Sequence, residues 1–355
     1  MRKAIFTLVL ALGSLALNAS TFIPATDPGF AYVGRISWNT KPGSAVWTYS
    51  GVQIHAVFNG TSASMETNAD CGYFMVEIDD LAPRKVLVGK GQTLTTLAEG
   101  MENGQHRLTI TYLIEGLYKK PTFLGLHLDD GCTLGKCPSL PERKIEFIGN
   151  SITCGYGIEG SAKDKRFLFS QQNFYETYAA RTARALNAQC QVCARSGIGL
   201  YRNYGGKIPD AIMPNIFPHT FYATKGELWD FSLFQPDVVC VNLGCNDTSL
   251  GKYDKVKLEE AFKSFTLTLR DCYPHAKIVY IIGAIPASKR LTDIQEAQEA
   301  AILDAASRGD NEVYRMDFTP DDGSLGMGAV GHPSMKRHAL MAEELTTFLR
   351  TLMKW

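Results

Sequence analysis

The sequence predicts an α/β protein in two parts: a doubly wound parallel sheet, preceded by an all-β sandwich or jelly roll. Before Pro138, short β-rich runs are separated by Gly, Asn, Asp and Pro. From Lys144 onward, strand-like runs instead alternate with helical stretches. About 335 residues follow the first twenty, which is more than one hydrophobic core usually organises. We therefore expect an all-β domain at 21–138 and an α/β domain at 144–355.

Residues 1–19 are typical of a secretory signal peptide. Arg2 and Lys3 precede an apolar run from Ala4 to Leu17, and a small residue follows at Ala19. This run is shorter than the roughly 18 to 20 residues that a membrane-spanning helix needs. No later stretch is long and apolar enough to span a bilayer. The sequence thus predicts a secreted or periplasmic protein with no membrane span.

The composition argues against several classes of partner and cofactor. Thirty-six basic and thirty-six acidic residues leave no net charge, which does not favour nucleic acid as a partner. A neutral ligand fits better than a polyanion. The glycines of 155–160 and 326–331 match a dinucleotide fingerprint, but neither set opens a strand-turn-helix unit. No cluster has zinc spacing, so we expect neither a cofactor nor a metal.

The N-terminal half contains eight candidate strands. They are expected at 30–37, 45–58, 62–67, 72–78, 84–89, 92–97, 105–114 and 122–127. His55, His106 and His127 lie singly in these runs, and structural roles are expected for them. Residues 131–143, with two prolines, are expected to link the domains.

The C-terminal part contains five candidate strands and four candidate helices. The strands are expected at 144–149, 188–194, 237–243, 276–283 and 312–318, and the helices at 172–186, 253–271, 289–307 and 335–354. The nearly continuous apolar runs at 238–243 and 278–282 are typical of buried parallel strands. Functional residues are expected at the carboxyl edge of such a sheet.

The first of these strands ends in a polar turn that contains Ser151. The strand alternates polar and apolar residues up to Ile148 and then breaks at Gly149. On chemistry alone, Ser151 is explained equally well as a nucleophile or as the N-cap of a short helix.

The segment Phe147-Ile-Gly-Asn-Ser-Ile-Thr153 resembles the first block of the SGNH (GDSL-like) hydrolases, with Asn150 where the family usually has Asp. The string from Ser151 to Gly157 is most similar to carbohydrate esterase family 2, whose members carry an N-terminal sandwich. The resemblance covers nearly all of the chain. It implies a serine esterase that removes acetyl groups from xylan or a related carbohydrate, with an acetylated polysaccharide or oligosaccharide as its partner.

Two further segments resemble blocks that supply the oxyanion hole. Gly199, by register, or otherwise Gly197, would offer a backbone N–H. Asn246, in a Gly-x-Asn-Asp string, would offer its side-chain amide. Without the resemblance, the glycines would be assigned to turns and Asn246 to an Asx-turn or helix cap. Asp247 is expected to be structural.

The string Gly331-His-Pro-Ser334 resembles the block that supplies the base, which implies this role for His332. The family usually has an Asp two or three residues earlier, where this chain has Ala329 and Val330. Either a backbone carbonyl there orients the imidazole in a Ser-His dyad, or Asp321 or Asp322 does so from the preceding loop. A carbonyl can fix the tautomer, but it stabilises an imidazolium less than a carboxylate does.

The predicted catalytic set is therefore Ser151, His332, Gly199 and Asn246. Two other functions stay open: a carbohydrate-binding protein with a vestigial site, and a short-chain esterase that acts on another acetyl ester. The loop at 201–229 is expected to be either part of a sugar-facing wall or a packed crossover.

Overall fold

The computed structural model of the protein describes residues 20–116, 120–206, 210–282 and 285–355. The predicted signal peptide, 1–19, and Gly283, at the end of one predicted strand, lie outside these ranges. Within them, a β-sandwich is followed by a parallel sheet with helices on both faces, so the predicted fold class is confirmed.

The sandwich is built from antiparallel strands in two five-stranded sheets. Its strands are β1 Ser20–Pro24, β2 Ala31–Val33, β3 Ala45–Val46, β4 Gln53–Gly60, β5 Ala63–Thr67, β6 Gly72–Ile78, β7 Arg84–Val88, β8 Leu94–Ala98, β9 Gly104–Tyr112 and β10 Thr122–Asp129. One sheet has the order β1-β10-β5-β8, with β3 also paired to β10, and the other has the order β2-β4-β9-β6-β7. Buried and half-buried residues alternate along β4, so one face of this strand packs into the core.

Two predicted strands of the sandwich differ from the observed ones, and one observed strand was not predicted. The single run expected at 45–58 is two strands, because the chain turns at Gly51, where φ is +81°. A Cβ at Gly51 would lie 2.7 Å from the ring of Phe174, so only glycine fits there. The run expected at 30–37 ends early, before Gly34, where φ is +119°. The first strand, β1, was not predicted.

The α/β part contains a five-stranded parallel sheet. Its strands are β11 Arg143–Gly149, β12 Ala188–Ala194, β13 Val238–Asn242, β14 Lys277–Ile282 and β15 Val313–Asp317, in the order β12-β11-β13-β14-β15. The helices are α1 Ser151–Cys154, α2 Tyr178–Ala185, α3 Met213–Ile216, α4 Lys255–Cys272, α5 Lys289–Ser307 and α6 Met335–Met353. α4 and α5 pack on one face of the sheet, and α2 and α6 pack on the other. The chain leaves β11 for opposite neighbours, β12 and then β13, and this switch point leaves a crevice at the carboxyl ends of the strands.

The helix predicted to start at 172 begins only at Tyr178. Thr177 has an extended backbone, and its side chain caps α2 by accepting a hydrogen bond from Ala180 N–H. The residues before it form a single 3-10 turn at Phe174–Glu176. The helix predicted at 289–307 and the strand predicted at 188–194 have the observed bounds.

The sandwich and the parallel sheet share a buried ion pair. Arg35 of the sandwich donates to Glu146 of β11 at 3.0 Å, and neither side chain has any exposed surface. Arg35 also donates to the carbonyls of Phe217 and His219. Removing one member of such a pair would leave a buried charge without a partner, so this contact joins the two parts firmly. No helix in the described ranges combines the length and apolarity needed to cross a bilayer.

Candidate active site

Ser151 is the first residue of α1, directly after β11. The cap of α1 is its neighbour Asn150, whose Oδ1 accepts a hydrogen bond from Ile152 N–H at 3.0 Å. Ser151 is therefore not the N-cap of this helix, which was the alternative explanation for it. The Ser151 hydroxyl contacts His332 instead.

Asn150 also ties the nucleophile turn to the neighbouring strand. Its Nδ2 donates to the carbonyl of Asn242, at the end of β13, and to Cys245 Sγ, at 3.1 and 3.2 Å. A carboxylate at this position would have no hydrogen to donate to either group. The Asn at this position thus fits the acceptors that surround it.

His332 lies 2.9 Å from Ser151, measured from Nε2 to Oγ. It follows a 3-10 turn at Ala329–Gly331 and precedes α6. Ala329 N–H donates to the carbonyl of Gly157, and Gly328 N–H donates to the carbonyl of His332, both at 2.8 Å. The first bond holds the histidine loop against the nucleophile turn, and the second closes the histidine loop on itself. His332 and Ser151, which are 181 positions apart in the sequence, are thereby in contact.

The other ring nitrogen of His332 has no carboxylate partner among the described residues. Nδ1 is buried without a hydrogen bond of standard geometry, although the carbonyls of Ala329 and Val330 approach the ring. Asp321 accepts instead from Gly323 N–H at 3.0 Å, and Asp322 accepts from Ser324 N–H at 2.9 Å. Neither Asp321 nor Asp322 thus contacts His332, and the polar groups near Nδ1 are the two backbone carbonyls. Burial lowers the pKa of His332, and the two carbonyls act in the opposite direction.

Tyr156 forms an aromatic wall beside the base, which the sequence did not single out. Its ring centroid lies 4.5 Å from that of His332, and its other side stacks on Phe167 at 3.8 Å. The residue belongs to the string that resembles carbohydrate esterases, but nothing in its spacing indicates a contact with a residue so distant in the sequence.

Two candidate oxyanion donors follow neighbouring strands, Ser151 after β11 and Asn246 after β13. Asn246 follows β13, and its Nδ2 donates one hydrogen to the carbonyl of Ile198 at 2.7 Å. This bond fixes the amide and leaves its second N–H available. The N–H of Ser151 has no acceptor among the described residues.

Gly199 is the predicted backbone donor, but its N–H already has a partner in the structure. Its N–H donates to Asn203 Oδ1 at 3.0 Å, so it is already occupied. A Cβ at Gly199 would lie 2.1 Å from the carbonyl oxygen of Arg202 and 2.5 Å from Asp247 Oδ2, so close packing requires glycine. At Gly197, in contrast, φ is +79° and the N–H has no acceptor in the described ranges. Of the two candidate backbone donors, Gly197, the second choice from the sequence, is thus the one whose N–H is free in the described ranges.

Asp247 organises the loop after β12. Its Oδ1 accepts hydrogen bonds from three successive backbone N–H groups, those of Leu200, Tyr201 and Arg202, at 2.8, 2.9 and 3.2 Å. The side chain is fully buried, and this burial raises its pKa against the effect of the three bonds. The predicted structural role is observed, in a form that the sequence did not specify.

Other chemistry has little support in the described part of the chain. No group of three or more His, Cys, Asp or Glu side chains there is arranged to hold a metal ion. All nine cysteines are unpaired thiols. His55, His106 and His127 each have a hydrogen-bonding partner within the sandwich, as expected for structural histidines.

The strand order, the serine at the switch point and the histidine in the last loop together define a class of protein. They are the features of a GDSL-like hydrolase domain, here preceded by a β-sandwich.

Comparisons with known proteins agree with this class and refine it. A family model described as carbohydrate esterase 2 N-terminal matches residues 32–138, and one described as GDSL-like lipase/acylhydrolase family matches residues 147–340. An acetylxylan esterase / glucomannan deacetylase of Cellvibrio japonicus is 30% identical over 99% of this chain and all of its own length. The chain belongs to carbohydrate esterase family 2, as its motifs predicted.

Two further relatives complete the comparison. The cellulase/esterase CelE of Acetivibrio thermocellus is 37% identical over 93% of this chain, which spans 40% of that longer protein. A family two carbohydrate esterase from Clostridium thermocellum, solved in complex with cellohexaose, superposes with a TM-score of 0.85 and 36% identity. That structure covers 92% of this chain, and the match includes all of its own chain. Both the sandwich and the hydrolase domain are therefore shared with members of the family.

Proposed function

We propose that this protein is an exported serine esterase that removes O-acetyl groups from xylan, glucomannan or a related carbohydrate. The observation that carries the proposal is the 2.9 Å contact between His332 Nε2 and Ser151 Oγ at the carboxyl edge of the sheet. A nucleophilic hydroxyl within hydrogen-bonding distance of an imidazole is the arrangement that acyl transfer requires. The substrate class is suggested by the acetylxylan esterase / glucomannan deacetylase relative, and export by the composition of residues 1–19.

In the first half of the reaction, Ser151 Oγ attacks the acetyl carbonyl while His332 Nε2 accepts the hydroxyl proton. The imidazole must be neutral at this moment, and burial favours the neutral form because it lowers the pKa of His332. Since Nε2 must accept, Nδ1 carries the hydrogen, and the carbonyls of Ala329 and Val330 are the groups that favour this tautomer.

The developing oxyanion is held by three neutral donors: Ser151 N–H, Gly197 N–H and the free N–H of the Asn246 amide. None of these three N–H groups donates a hydrogen bond to another described residue. Preorganised donors of this kind stabilise charge that appears only in the transition state, and thus raise the turnover number.

In the second half, His332 returns the proton to the departing sugar oxygen, and the sugar leaves with a free hydroxyl. The acetyl group remains on Ser151 Oγ as an ester. Water then attacks this ester with His332 again as the base, and acetate and the free serine result.

The test is acetate release from 4-nitrophenyl acetate, acetylated xylan and acetylated glucomannan by the wild type and by Ser151→Ala. We expect release by the wild type and loss of nearly all of it in the variant, with unchanged thermal unfolding. Ser151→Ala should still bind the deacetylated polysaccharide. If the folded wild type binds polysaccharide but releases no acetate from any substrate, the esterase proposal is wrong and the binding function replaces it.

A further inference from the structure

We propose that Glu115, which belongs to the sandwich, is a positioning residue for the oxyanion hole, so that the sandwich forms a working part of the active site. Glu115 lies just after β9, in the segment Ile114–Gly116. This inference rests on the proposed role of Gly197 as an oxyanion donor.

The Glu115 carboxylate holds the residue next to Gly197 through both of its oxygens. Oε1 accepts from Ser196 N–H at 2.7 Å, and Oε2 accepts from the Ser196 hydroxyl at 2.5 Å. These two bonds restrain the backbone and the side chain of Ser196 together. The following N–H, that of Gly197, therefore has its direction set by a residue that the sandwich holds in place.

The next peptide of the same turn is held as well. Tyr204 N–H donates to the carbonyl of Gly197 at 2.8 Å, and Arg195 N–H donates to the carbonyl of Gly149, at the end of β11, at 3.2 Å. Ser196 N–H, Arg195 N–H and the Gly197 carbonyl thus each have a partner, while Gly197 N–H itself has none in the described ranges. A donor that is free while its neighbours are fixed is what an oxyanion hole needs.

Glu115 is also linked to the nucleophile helix. Gln172 Nε2 donates to Glu115 Oε2 at 3.3 Å and to the carbonyl of Cys154, the last residue of α1, at 3.1 Å. α1 begins at Ser151, which carries both the nucleophile and the second backbone donor. One carboxylate is therefore hydrogen-bonded to the Gly197 turn and, through one glutamine, to the Ser151 helix.

Burying the Glu115 carboxylate costs folding free energy unless its hydrogen bonds compensate. Glu115 is 4% exposed, and burial raises its pKa, while its bonds to Ser196 and the nearby Arg195 act in the opposite direction. Burying a charged group disfavours folding unless hydrogen bonds compensate for the lost water. The segment is firmly docked, because Phe174 N–H donates to the carbonyl of Leu113 at 3.0 Å. The location of Glu115 thus favours a role in holding the catalytic turn.

The test compares Glu115→Ala and Glu115→Gln with the wild type on 4-nitrophenyl acetate. A misaligned oxyanion donor lowers the turnover number rather than ground-state binding, so Glu115→Ala should lose about 10- to 100-fold in kcat with KM little changed. Glu115→Gln retains an oxygen that accepts from Ser196 N–H, and it should recover most of this loss.

Glu77→Ala is the matched control, because it removes a contact between the same two domains without touching Ser196. Glu77 is a sandwich carboxylate that accepts a hydrogen bond from the Tyr175 hydroxyl of the hydrolase domain at 2.9 Å. This variant should retain wild-type kcat even if its thermal stability falls. An equal loss of kcat in Glu77→Ala and Glu115→Ala would overturn the proposal, since both losses would then reflect general loosening of the interface.

Two further variants keep the outcome decisive. If Glu115→Ala does not fold, Ser196→Ala, which loses only the hydroxyl bond, should still lower kcat, whereas wild-type kcat in Ser196→Ala would overturn the inference. Ser151→Ala separates the two proposals. If Ser151→Ala is inactive but folded Glu115→Ala has wild-type kcat, the esterase function stands and only the role of Glu115 fails.

Discussion

The two sides of Ser151 are supported in opposite ways. On the oxyanion side, two buried carboxylates hold the loop after β12: Asp247 through three backbone N–H groups and Glu115 through Ser196. On the base side, no described carboxylate contacts His332, and only backbone carbonyls face its Nδ1.

This difference suggests that the oxyanion side acts through the alignment of its donors, whereas the base side has no charged group in the described part of the chain to stabilise a protonated His332. Oxyanion donors are neutral and act through alignment, so rigid support of their loop is what makes them effective. An imidazolium is stabilised most by a negative partner, and His332 has none among the described residues. We therefore expect this active site to depend more on its donors than on stabilisation of its protonated base.

The largest expected effect is that of Asn246→Ala. Removing one oxyanion donor typically lowers kcat by about 10² to 10³, or roughly 3 to 4 kcal/mol of transition-state stabilisation. The lost bond to the Ile198 carbonyl affects the fold little by comparison. Steady-state kinetics on 4-nitrophenyl acetate together with thermal unfolding measure the two effects separately. Near wild-type turnover in this variant would remove Asn246 from the site.

The second prediction concerns Asp247, whose alanine and asparagine variants should differ. Asp247→Ala leaves three buried N–H groups without their acceptor, and we expect a 10- to 100-fold loss of kcat with about 3 kcal/mol lower stability. Asp247→Asn keeps one oxygen for these donors and removes a buried charge, so it should retain most of both. Denaturant unfolding and steady-state kinetics measure the stability and kcat of the two variants. Equal losses of both quantities in Asp247→Ala and Asp247→Asn would show that the negative charge itself is required.

The elements could be predicted from the sequence because their signals are local. The parallel strands are short apolar runs, and α5 and α6 have clear amphipathic periods, so their predicted bounds agree with the observed ones within about two residues. The positions of Ser151 and Asn246 at the same edge follow from neighbouring parallel strands, β11 and β13, that end together.

The supporting contacts could not be predicted, because they join residues far apart in the chain. Glu115 and Ser196 are 81 residues apart, and nothing in either segment indicates the other. The sequence could not show which glycine, Gly197 or Gly199, has a free backbone N–H. The answer depends on the hydrogen bond from Gly199 N–H to Asn203 Oδ1, which is set by the geometry of the loop. Sequence patterns predicted the fold and the candidate catalytic residues, while the residues that hold those candidates in place could be identified only from the structure.

The third prediction is the pH dependence of the base side. Since burial lowers the pKa of His332 from its ordinary value of 6.5, the base stays neutral at lower pH. The acid limb of kcat/KM should therefore have an apparent pKa below 6.5. Asp322→Asn should leave it unchanged, because that carboxylate is bonded to Ser324. A limb at or above 6.5 would show that a negative group acts on the imidazole after all.

The smallest effect is expected from giving the base side the carboxylate that it lacks. Val330 is 45% exposed and has φ +53°, a conformation that β-branched residues disfavour and that Asp and Asn tolerate. Val330→Asp and Val330→Asn should thus relieve the backbone equally, and the difference between them isolates the charge. We expect only Val330→Asp to raise the pKa of His332, moving the acid limb of kcat/KM upward by less than about one unit, since an exposed charge is screened. If the acid limbs of kcat/KM have the same apparent pKa in the two variants, a carboxylate at position 330 does not reach Nδ1 of His332. The path of the loop would then leave only backbone carbonyls beside the base.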